Sequence, residues 1–406
     1  MFISHILFPL LSSLLLLASP PIDPVYELTV EAGKVDRLQS VVSFTLPDDL
    51  SPGPLYLQNV VGKQYPVQRV NDDGWFILED LKAGQKATYS LYEGEPATTS
   101  GANGVIAEAT AGDVAFKQDS TVIFTYNNAK TILPRNNIDQ IYRRGGYIHP
   151  VHTPSGILVT NDYPSNHVHH HGIWASWTNT RFQGRKPDFW NMGNGTGTVE
   201  PVNMDTTWQG PVMGGVVGRH RYVDLSADEP VDVLNETWET RVFAVQDEDT
   251  PYHLFELRVT QTTASDNFLT LPKYRYGGVG FRGHDAWEGV KNTYFLTSEG
   301  KGRLEGHGTR ARWCHIGGFV DGAFAGVAIL SHPDNFRAPQ PMRIHPSEPF
   351  FNWAPSQAGD WTIRPGKPYE AAYRFVVMDG EPDKALIDRL WDDWAKPAKV
   401  KVKKVG

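Results

Sequence analysis

Six of the fourteen histidines in this 406-residue chain lie in one short stretch between residues 149 and 171. An even distribution would place fewer than one histidine there, so a scatter of core histidines does not explain the density. Imidazole titrates near neutral pH, and one ring can accept a proton while a neighbour donates one. The stretch therefore predicts a functional site built from His149, His152, His167, His169, His170 and His171.

Two kinds of chemistry fit this stretch, and the spacing leaves both open. In an extended segment His167, His169 and His171 point to one face, about 7 Å apart along the strand. Such rings could converge on a divalent metal, with His149, His167 and His169 as the ligand set of this alternative. The spacing matches no standard zinc signature, so the cofactor stays unknown, with a divalent metal as the alternative. A purely structural role, in which the imidazoles bond loop backbone, is the third interpretation.

Without a metal, the same residues predict proton transfer on a bound ligand. We assign His167 and His169 to proton transfer, with Glu348 as the acid. Flat aromatic faces beside polar groups are typical of sugar-binding clefts, because a pyranose has an apolar C–H face and a rim of hydroxyls. Arg282 could hold a carboxylate or a hydroxyl pair in bidentate fashion. The predicted substrate-binding residues are His149, His170, Trp174, Trp190, Arg282 and His332.

The elements that must position these residues are strands. The chain has 12 Trp, 16 Tyr and 19 Phe, together with 38 Gly and 29 Pro, and few helix-period runs. That mixture indicates short strands joined by turns. The longest strand candidates are Tyr252–Thr263, Ala325–Leu330 and Tyr369–Met378. We predict an all-β fold: a large β-sandwich of the supersandwich type, preceded by a small β-sandwich and followed by one C-terminal helix.

The chain divides into six segments. Leu386, Ile387, Leu390 and Trp394 recur at helical spacing, and Pro382 suits a first turn. The predicted helix should dock its apolar face on the sandwich. The basic C-terminal segment is predicted to be a solvated, frayed terminus. The segments are a signal peptide over 1–20, a small β-sandwich over 24–94, a linker over 95–104, the large β-sandwich over 105–380, the helix over 381–396 and the basic tail over 397–406.

The composition and the N-terminal apolar run indicate in which compartment the protein acts and which classes of partner it can bind. The apolar run from Ile6 to Leu17 is shorter than the roughly 20 residues that span a bilayer, and has the length of a signal-peptide core. We predict a secreted or periplasmic protein with no membrane span in its mature form, and an uncleaved anchor helix is the alternative. A net charge of −8 argues against nucleic acid. The single cysteine, Cys314, cannot form an intrachain disulfide.

An ordered set of motifs in the second unit resembles the PmoA-like family of bacterial proteins, over roughly residues 105 to 380. The set comprises Tyr147-Ile-His-Pro, Pro154-Ser-Gly, His167-Val-His-His-His-Gly-Ile-Trp, Asp188-Phe-Trp, Tyr276-Gly-Gly and Ser331-His-Pro-Asp-Asn. The family is named after a methane oxygenase subunit and has no agreed activity. The resemblance implies an exported protein found beside sugar-degrading and sugar-oxidising enzymes. At the level of architecture the unit also resembles the galactose-mutarotase supersandwich.

The chain departs from the family motif Asp-His-Pro-His-His-Arg-Gly at two polar positions. Asn166 stands where the family has Asp, and His171 stands where it has Arg. A role that needs a carboxylate or a guanidinium at those positions is therefore in doubt, and His171 is a poor candidate for an essential ligand. His167, His169 and His170 keep the pattern.

The leading hypothesis is an exported carbohydrate-active enzyme whose substrate is a sugar, a glycoside or another small molecule. Epimerisation, elimination and hydrolysis all stay open. The alternatives are a metal-dependent oxidoreductase with histidine ligands and a non-catalytic carbohydrate-binding protein. The sequence determines neither the sugar nor the oligomeric state.

Overall fold

The computed structural model describes residues 23–97, 104–130 and 132–405. The predicted signal peptide, and residues 98–103 of the predicted linker, lie outside these ranges. The described part is built almost entirely of antiparallel strands, with one C-terminal helix of three turns. The predicted fold class, a large β-sandwich preceded by a small one, is confirmed.

The first unit is a small antiparallel β structure with its own core. Along its strands buried and less buried side chains alternate, as the period of two requires when one face is covered. Leu28, Leu57, Phe76 and Leu91 lie in this core. Its strands are β1 (Tyr26–Glu31), β2 (Arg37–Thr45), β3 (Leu55–Asn59), β4 (Gln64–Val70), β5 (Asp73–Leu81) and β6 (Lys86–Glu93).

The second unit contains most of the chain. Its first half comprises β7 (Ile106–Ala109), β8 (Asp113–Gln118), β9 (Thr121–Asn127), β10 (Tyr147–Val151), β11 (Ile173–Ser176), β12 (Gly197–Trp208), β13 (Met213–Asp224), β14 (Val231–Phe243), β15 (Tyr252–Thr263), β16 (Leu269–Leu271) and β17 (Gly278–Arg282). Its second half comprises β18 (Tyr294–Thr297), the single-turn α1 (Arg303–Gly306), β19 (Trp313–Val320), β20 (Ala323–Ser331), β21 (Met342–Ile344), β22 (Phe350–Trp353), β23 (Trp361–Ile363), β24 (Tyr369–Asp379), α2 (Lys384–Ala395) and, returning to the first unit, β25 (Lys399–Lys404).

Two eight-stranded sheets form the large sandwich. One, here called the site sheet, has the strand order β21-β22-β17-β11-β10-β9-β8-β7. The other, the back sheet, has the order β12-β13-β14-β15-β24-β20-β19-β18. Their inner faces share one apolar core, in which the ring centroids of Phe124 and Phe255 lie 4.7 Å apart. Because both inner faces are buried in this core, a ligand or partner would bind on one of the two outer faces.

The outer face of the back sheet is covered by the helix α2 and by part of the first unit. Asp383 caps the helix, and its Oδ1 accepts from the backbone N–H groups of Ala385 and Leu386. The apolar stripe of α2, including Ile387 and Leu390, packs against the sheet. The prediction of a helix docked on the sandwich is confirmed.

The prediction that the basic end is a frayed tail is wrong. Residues 399–404 form β25, which pairs antiparallel with β1 at the edge of the first unit. Val400 and Val402 pack against the core of that unit, while the intervening lysines face solvent. The alternation of Lys and Val has the period of a half-buried strand, and this apolar pattern outweighs the repulsion between the lysines.

Within the ranges that the structure describes, no helix is long and apolar enough to cross a membrane.

Candidate functional site

The candidate site lies on the outer face of the site sheet. Along β11, Ile173 and Ala175 point into the shared core, so Trp174 between them points outward. Along β21 the same alternation directs Met342 and Ile344 inward and leaves Arg343 on the outer side. Strand periodicity therefore presents a set of polar and aromatic side chains on one surface.

A glycine lets the aromatic side chains of this surface pack closely on the sheet. Gly280 of β17 pairs with Trp174 of β11. A Cβ atom at Gly280 would lie 3.0 Å from Trp190 and 3.3 Å from Trp174. Trp174, Trp190, Tyr147 and Phe350 form a separate apolar cluster on this face, and a side chain at position 280 would force it apart.

A cleft of about 250 Å³ opens over this aromatic cluster. Segments that precede β11 and β12, together with β21 and β22, bring its walls together. Aromatic rings, imidazoles and guanidinium groups line it, and none of the described lining residues is a carboxylate. The lining residues are His167, His169, His170, Trp190, Asn191, Arg275, Tyr276, Arg343, His345 and Phe350.

The central polar arrangement of the site joins His167, Glu348 and Arg282. His167 Nδ1 lies 3.1 Å from Glu348 Oε2. The same carboxylate oxygen accepts from Arg282 Nη1 at 2.7 Å. Because Nδ1 faces the carboxylate, Nε2 is the nitrogen of His167 that is available to a ligand. A histidine oriented by a carboxylate is a common proton-transfer unit.

The environment of Glu348 keeps its side chain ionised. Burial alone would raise the pKa of this carboxyl, but the close contact with His167 and the hydrogen bond from Arg282 outweigh it and lower the pKa to about 2. Glu348 is therefore a carboxylate at neutral pH and cannot supply a proton there. The sequence correctly places Glu348 beside the histidines, but the predicted role as acid does not fit this environment. A positioning role toward His167 does.

Arg282 does not reach the cleft. Its side chain is fully buried, and besides Glu348 it bonds Glu288 and, through Nη2, Asn166 Oδ1 at 2.9 Å. The carboxylates that Arg282 binds are therefore side chains of this protein and not groups of a substrate. The predicted role in substrate binding is replaced by one in which Arg282 orients Glu348 from below. Sequence inspection could not show this, because Arg282 and Glu348 are 66 positions apart.

The other imidazoles of the cleft are neutral at neutral pH. Burial, and next the charge of His167, lower the pKa of His169 to about 4. His170 is buried, stacks on Phe350 with ring centroids 4.9 Å apart, and its burial holds its pKa well below the usual range. His169 can therefore accept a hydrogen bond or a proton, whereas His170 forms part of the aromatic floor. Trp174 lies beneath that floor, and Trp190 lines the cleft as predicted.

Two predicted substrate-binding histidines lie away from the cleft. His149 bonds Thr160, with Nδ1 and Oγ1 2.9 Å apart, and is not among the lining residues. His332 stacks edge-on against Trp394 of α2, with ring centroids 4.7 Å apart, on the outer side of the back sheet. The assignment of His149 rests on the histidine-dense stretch and that of His332 on a loop motif, and the tertiary structure leaves both side chains outside the cleft lining.

The predicted metal site is not assembled. Among the residues that the structure describes, no group of three or more His, Cys, Asp or Glu side chains is arranged to hold a metal ion. His149, His167 and His169 therefore form no preformed ligand set. His171, the remaining histidine of the run, is fully buried and pairs through Nδ1 with Asp162 Oδ1 at 2.5 Å.

Several residues that line the cleft were not predicted from the sequence as site candidates. Arg343 and His345 flank Ile344 at the end of β21, and Arg275 and Tyr276 directly precede the glycines before β17. The alternation Met-Arg-Ile-His was a usable signal, because it places both polar side chains on one face of a strand.

We expect the NMR titration of His169 to have its midpoint near pH 4. In the unfolded chain this imidazole titrates near 6.5, so the unfolded state binds more protons between pH 6.5 and about 4. Burial of His169 thus leaves stability unaffected above that window and reduces it as the pH falls through it. The ring proton shifts of His169, assigned by comparison with His169→Gln, give the midpoint directly. A midpoint near 6.5 would contradict the burial of this side chain.

The comparisons with known proteins identify a family. Residues 113–392 match DUF6807, a family of unknown function. The match covers more than half of the chain, so the chain belongs to this family. No curated protein matches the sequence. The family match does not test the resemblance to the PmoA-like or galactose-mutarotase proteins, which stays a prediction.

Two solved structures from Enterococcus faecalis are similar in shape. An alpha-mannosidase from strain V583 has a TM-score of 0.45 and 9% sequence identity, over 93% of this chain and 46% of its own. A protein in the glycosyl hydrolase family 38 has a TM-score of 0.44 and 8% identity, over 93% of this chain and 47% of its own. The chain thus spans about half the length of each. Similarity at this level carries no argument about function.

Proposed function

We propose that this chain is an exported enzyme that binds a sugar in the cleft and transfers protons to and from it. The observation that carries the proposal is the combination of an aromatic floor with the His167–Glu348 pair at one wall. Trp190 and Phe350 line the cleft but are only 1% and 3% exposed, so they give the C–H groups of a sugar an apolar contact at the floor, while its hydroxyls meet polar side chains. Export rests on the N-terminal apolar run, which lies outside the described residues.

His167 is suited to act as the base. Glu348 carries a negative charge and faces Nδ1, which favours the tautomer with its proton on Nδ1 and a lone pair on Nε2. When Nε2 takes a proton from the sugar, the imidazolium that forms is stabilised by the same carboxylate. Arg282 holds Glu348 in place for this purpose. The pair thus supplies a base whose orientation does not depend on the ligand.

Tyr276 is suited to return the proton. Burial raises the pKa of its hydroxyl, so this group stays protonated over the neutral range. Asn191 Nδ2 donates to the Tyr276 oxygen at 3.1 Å and fixes its position at the cleft. A protonated phenol and an oriented imidazole that line the same cleft can serve general acid–base chemistry.

The absence of a carboxylate pair from the described cleft lining favours epimerisation or elimination over glycoside hydrolysis. Glycoside hydrolysis most often uses two carboxyl groups on either side of the bond, one of them protonated. The described cleft lining contains none, and Glu348 beside it is ionised. Epimerisation or elimination at a carbon next to a carbonyl or carboxyl group, which can accept the electron pair of the broken C–H bond, therefore fits this site better than hydrolysis.

The test is solvent isotope exchange. The full chain is incubated in D₂O with a panel of mono- and oligosaccharides, and proton NMR follows the loss of ring C–H signals. Enzyme-dependent exchange at one carbon, or formation of an epimer or unsaturated product, is expected for at least one sugar. Tight binding of a sugar without exchange or product would overturn the proposed enzyme and indicate a carbohydrate-binding protein.

A further inference from the structure

We infer that the sugar carries a carboxylate and that Arg275 and Arg343 bind this group in the cleft. The inference rests on the proposed function, since it names the substrate class of the same site. Both arginines line the cleft, on the side formed by β21 and by the residues before β17.

Neither guanidinium group has an anionic partner in the described part of the chain. Arg275 is exposed and Arg343 is partly buried. Some buried arginines of this protein pair with carboxylates, as Arg282 does with Glu348 and Arg374 with Glu256, whereas Arg144 and Arg303 donate to backbone carbonyls. No ion pair of Arg275 or Arg343 occurs among the described residues. Arg343 Nη1 contacts only an imidazole, His307 Nε2 at 3.4 Å, and the Arg275 guanidinium lies 5.5 Å from the ring centroid of Tyr276.

The two positive charges lie close enough to oppose each other. Burial, and next the charge of Arg275, lower the pKa of Arg343, and the more weakly acting charge of Glu348 opposes them. The repulsion between the two guanidinium groups at the cleft is unfavourable. An anion bound between them would offset this repulsion. His169 and His345, which also line the cleft, add no positive charge at neutral pH, because both have a pKa of about 4.

A carboxylate suits this pair of arginines for geometric reasons. A guanidinium group is planar and presents parallel N–H donors that match the two oxygens of a carboxylate. The cleft, at about 250 Å³, is smaller than sites for drug-sized ligands, so one acidic sugar ring fills it. Uronic acids and their oligomers combine such a ring with a carboxylate on the carbon next to the ring oxygen.

This assignment also defines which C–H bond of the sugar loses its proton: the one on the carbon next to the carboxylate. Arginines that bind the carboxylate stabilise the negative charge that develops when the neighbouring carbon loses its proton. The C–H bond breaks, the proton passes to His167 Nε2, and the electron pair enters the bond between that carbon and the carboxyl group. In epimerisation the Tyr276 hydroxyl gives its proton to the same carbon on the opposite face, and the proton on His167 later restores the phenol through solvent. In elimination the C–O bond at the next carbon breaks, its electron pair leaves with the oxygen, and the Tyr276 proton passes to that oxygen, which gives a C=C bond and a free alcohol.

The experiment compares acidic sugars with matched neutral ones. Isothermal titration calorimetry with the full chain measures binding of galacturonate, glucuronate and guluronate oligomers, their methyl esters and the neutral hexose counterparts. We expect the acids to bind roughly ten- to hundred-fold more tightly than their esters. The variants Arg343→Gln and Arg275→Gln should each remove most of this difference and weaken binding of the neutral sugars far less. Arg258→Gln is the matched control, because Arg258 is exposed on the back sheet.

The outcomes separate this inference from the proposed function. Equal binding of acids and esters, with isotope exchange on the neutral sugars, would overturn the carboxylate assignment and leave the proposed enzyme standing. Selective binding of sulfated or phosphorylated sugars over uronates would also overturn it. Acid-selective binding that depends on Arg275 and Arg343, but without exchange or product, would support the assignment while contradicting the proposed enzyme. Circular dichroism confirms that each variant is folded.

Discussion

The substitution His167→Gln is expected to lower the rate of proton exchange on a bound sugar by roughly 100- to 10,000-fold, the usual contribution of a positioned acid–base group. Glutamine has about the length of histidine and keeps polar contacts, but it has no nitrogen that accepts a proton near neutral pH. His167 lies in the cleft wall, and its Nε2 is the ring nitrogen available to a ligand. The loss should appear in kcat, with a much smaller change in the affinity for the sugar.

Two further variants make this result specific. His332→Gln removes an imidazole that packs against Trp394, away from the cleft, and should leave the exchange rate unchanged. Glu348→Gln should lower kcat less than His167→Gln does and shift the pH profile, because it removes only the charge that orients His167. Full activity of His167→Gln would exclude this residue as the base and direct attention to His169.

The substitution Arg37→Met is expected to destabilise the protein by about 3–5 kcal/mol, the range for removing one partner of a buried ion pair. The side chains of Arg37 and Asp393 are only 1% and 6% exposed. Arg37 also donates through Nη2 to the carbonyl of Lys396 at 2.6 Å. The side chain thus links β2 to the end of α2, and its loss leaves the Asp393 carboxylate without compensation.

Chemical denaturation followed by tryptophan fluorescence measures this effect. Lys82→Met is the control, because Lys82 pairs with Asp80 where the two side chains are 59% and 56% exposed and an ion pair contributes little. The double variant Arg37→Met with Asp393→Leu should regain part of the lost stability, since it removes the buried charge as well. A small effect of Arg37→Met alone would show that the contact between the first unit and α2 adds little to stability.

Local patterns in the sequence predict much of the fold. The strand predicted over Tyr252–Thr263 matches β15 residue for residue, and the helix predicted over 381–396 matches α2 within three residues. These patterns suffice because burial of one face imposes a fixed period on each element. The same rule would have identified β25, where Val400 and Val402 alternate with lysines. The charge of that segment led to the wrong prediction there.

The composition of the site is only partly visible in the sequence. The density of histidines correctly locates one wall of the cleft, with His167, His169 and His170. It does not reveal that Arg343 and His345 complete the opposite wall, because some 175 residues separate the two segments along the chain. Likewise Arg282 and His332 have plausible residue types, but one is enclosed by the protein's own carboxylates and the other packs on a helix.

The sequence by itself determined the class of fold, the C-terminal helix and the stretch from which the site begins, because these depend on periodicity and residue type along a few neighbouring positions. Only the tertiary structure decided which side chains share the cleft and what charge each one carries. Those properties follow from burial and from contacts between distant segments. Glu348 shows the difference: its residue type suggests an acid, and the neighbours that folding brings to it make it a permanent carboxylate at neutral pH.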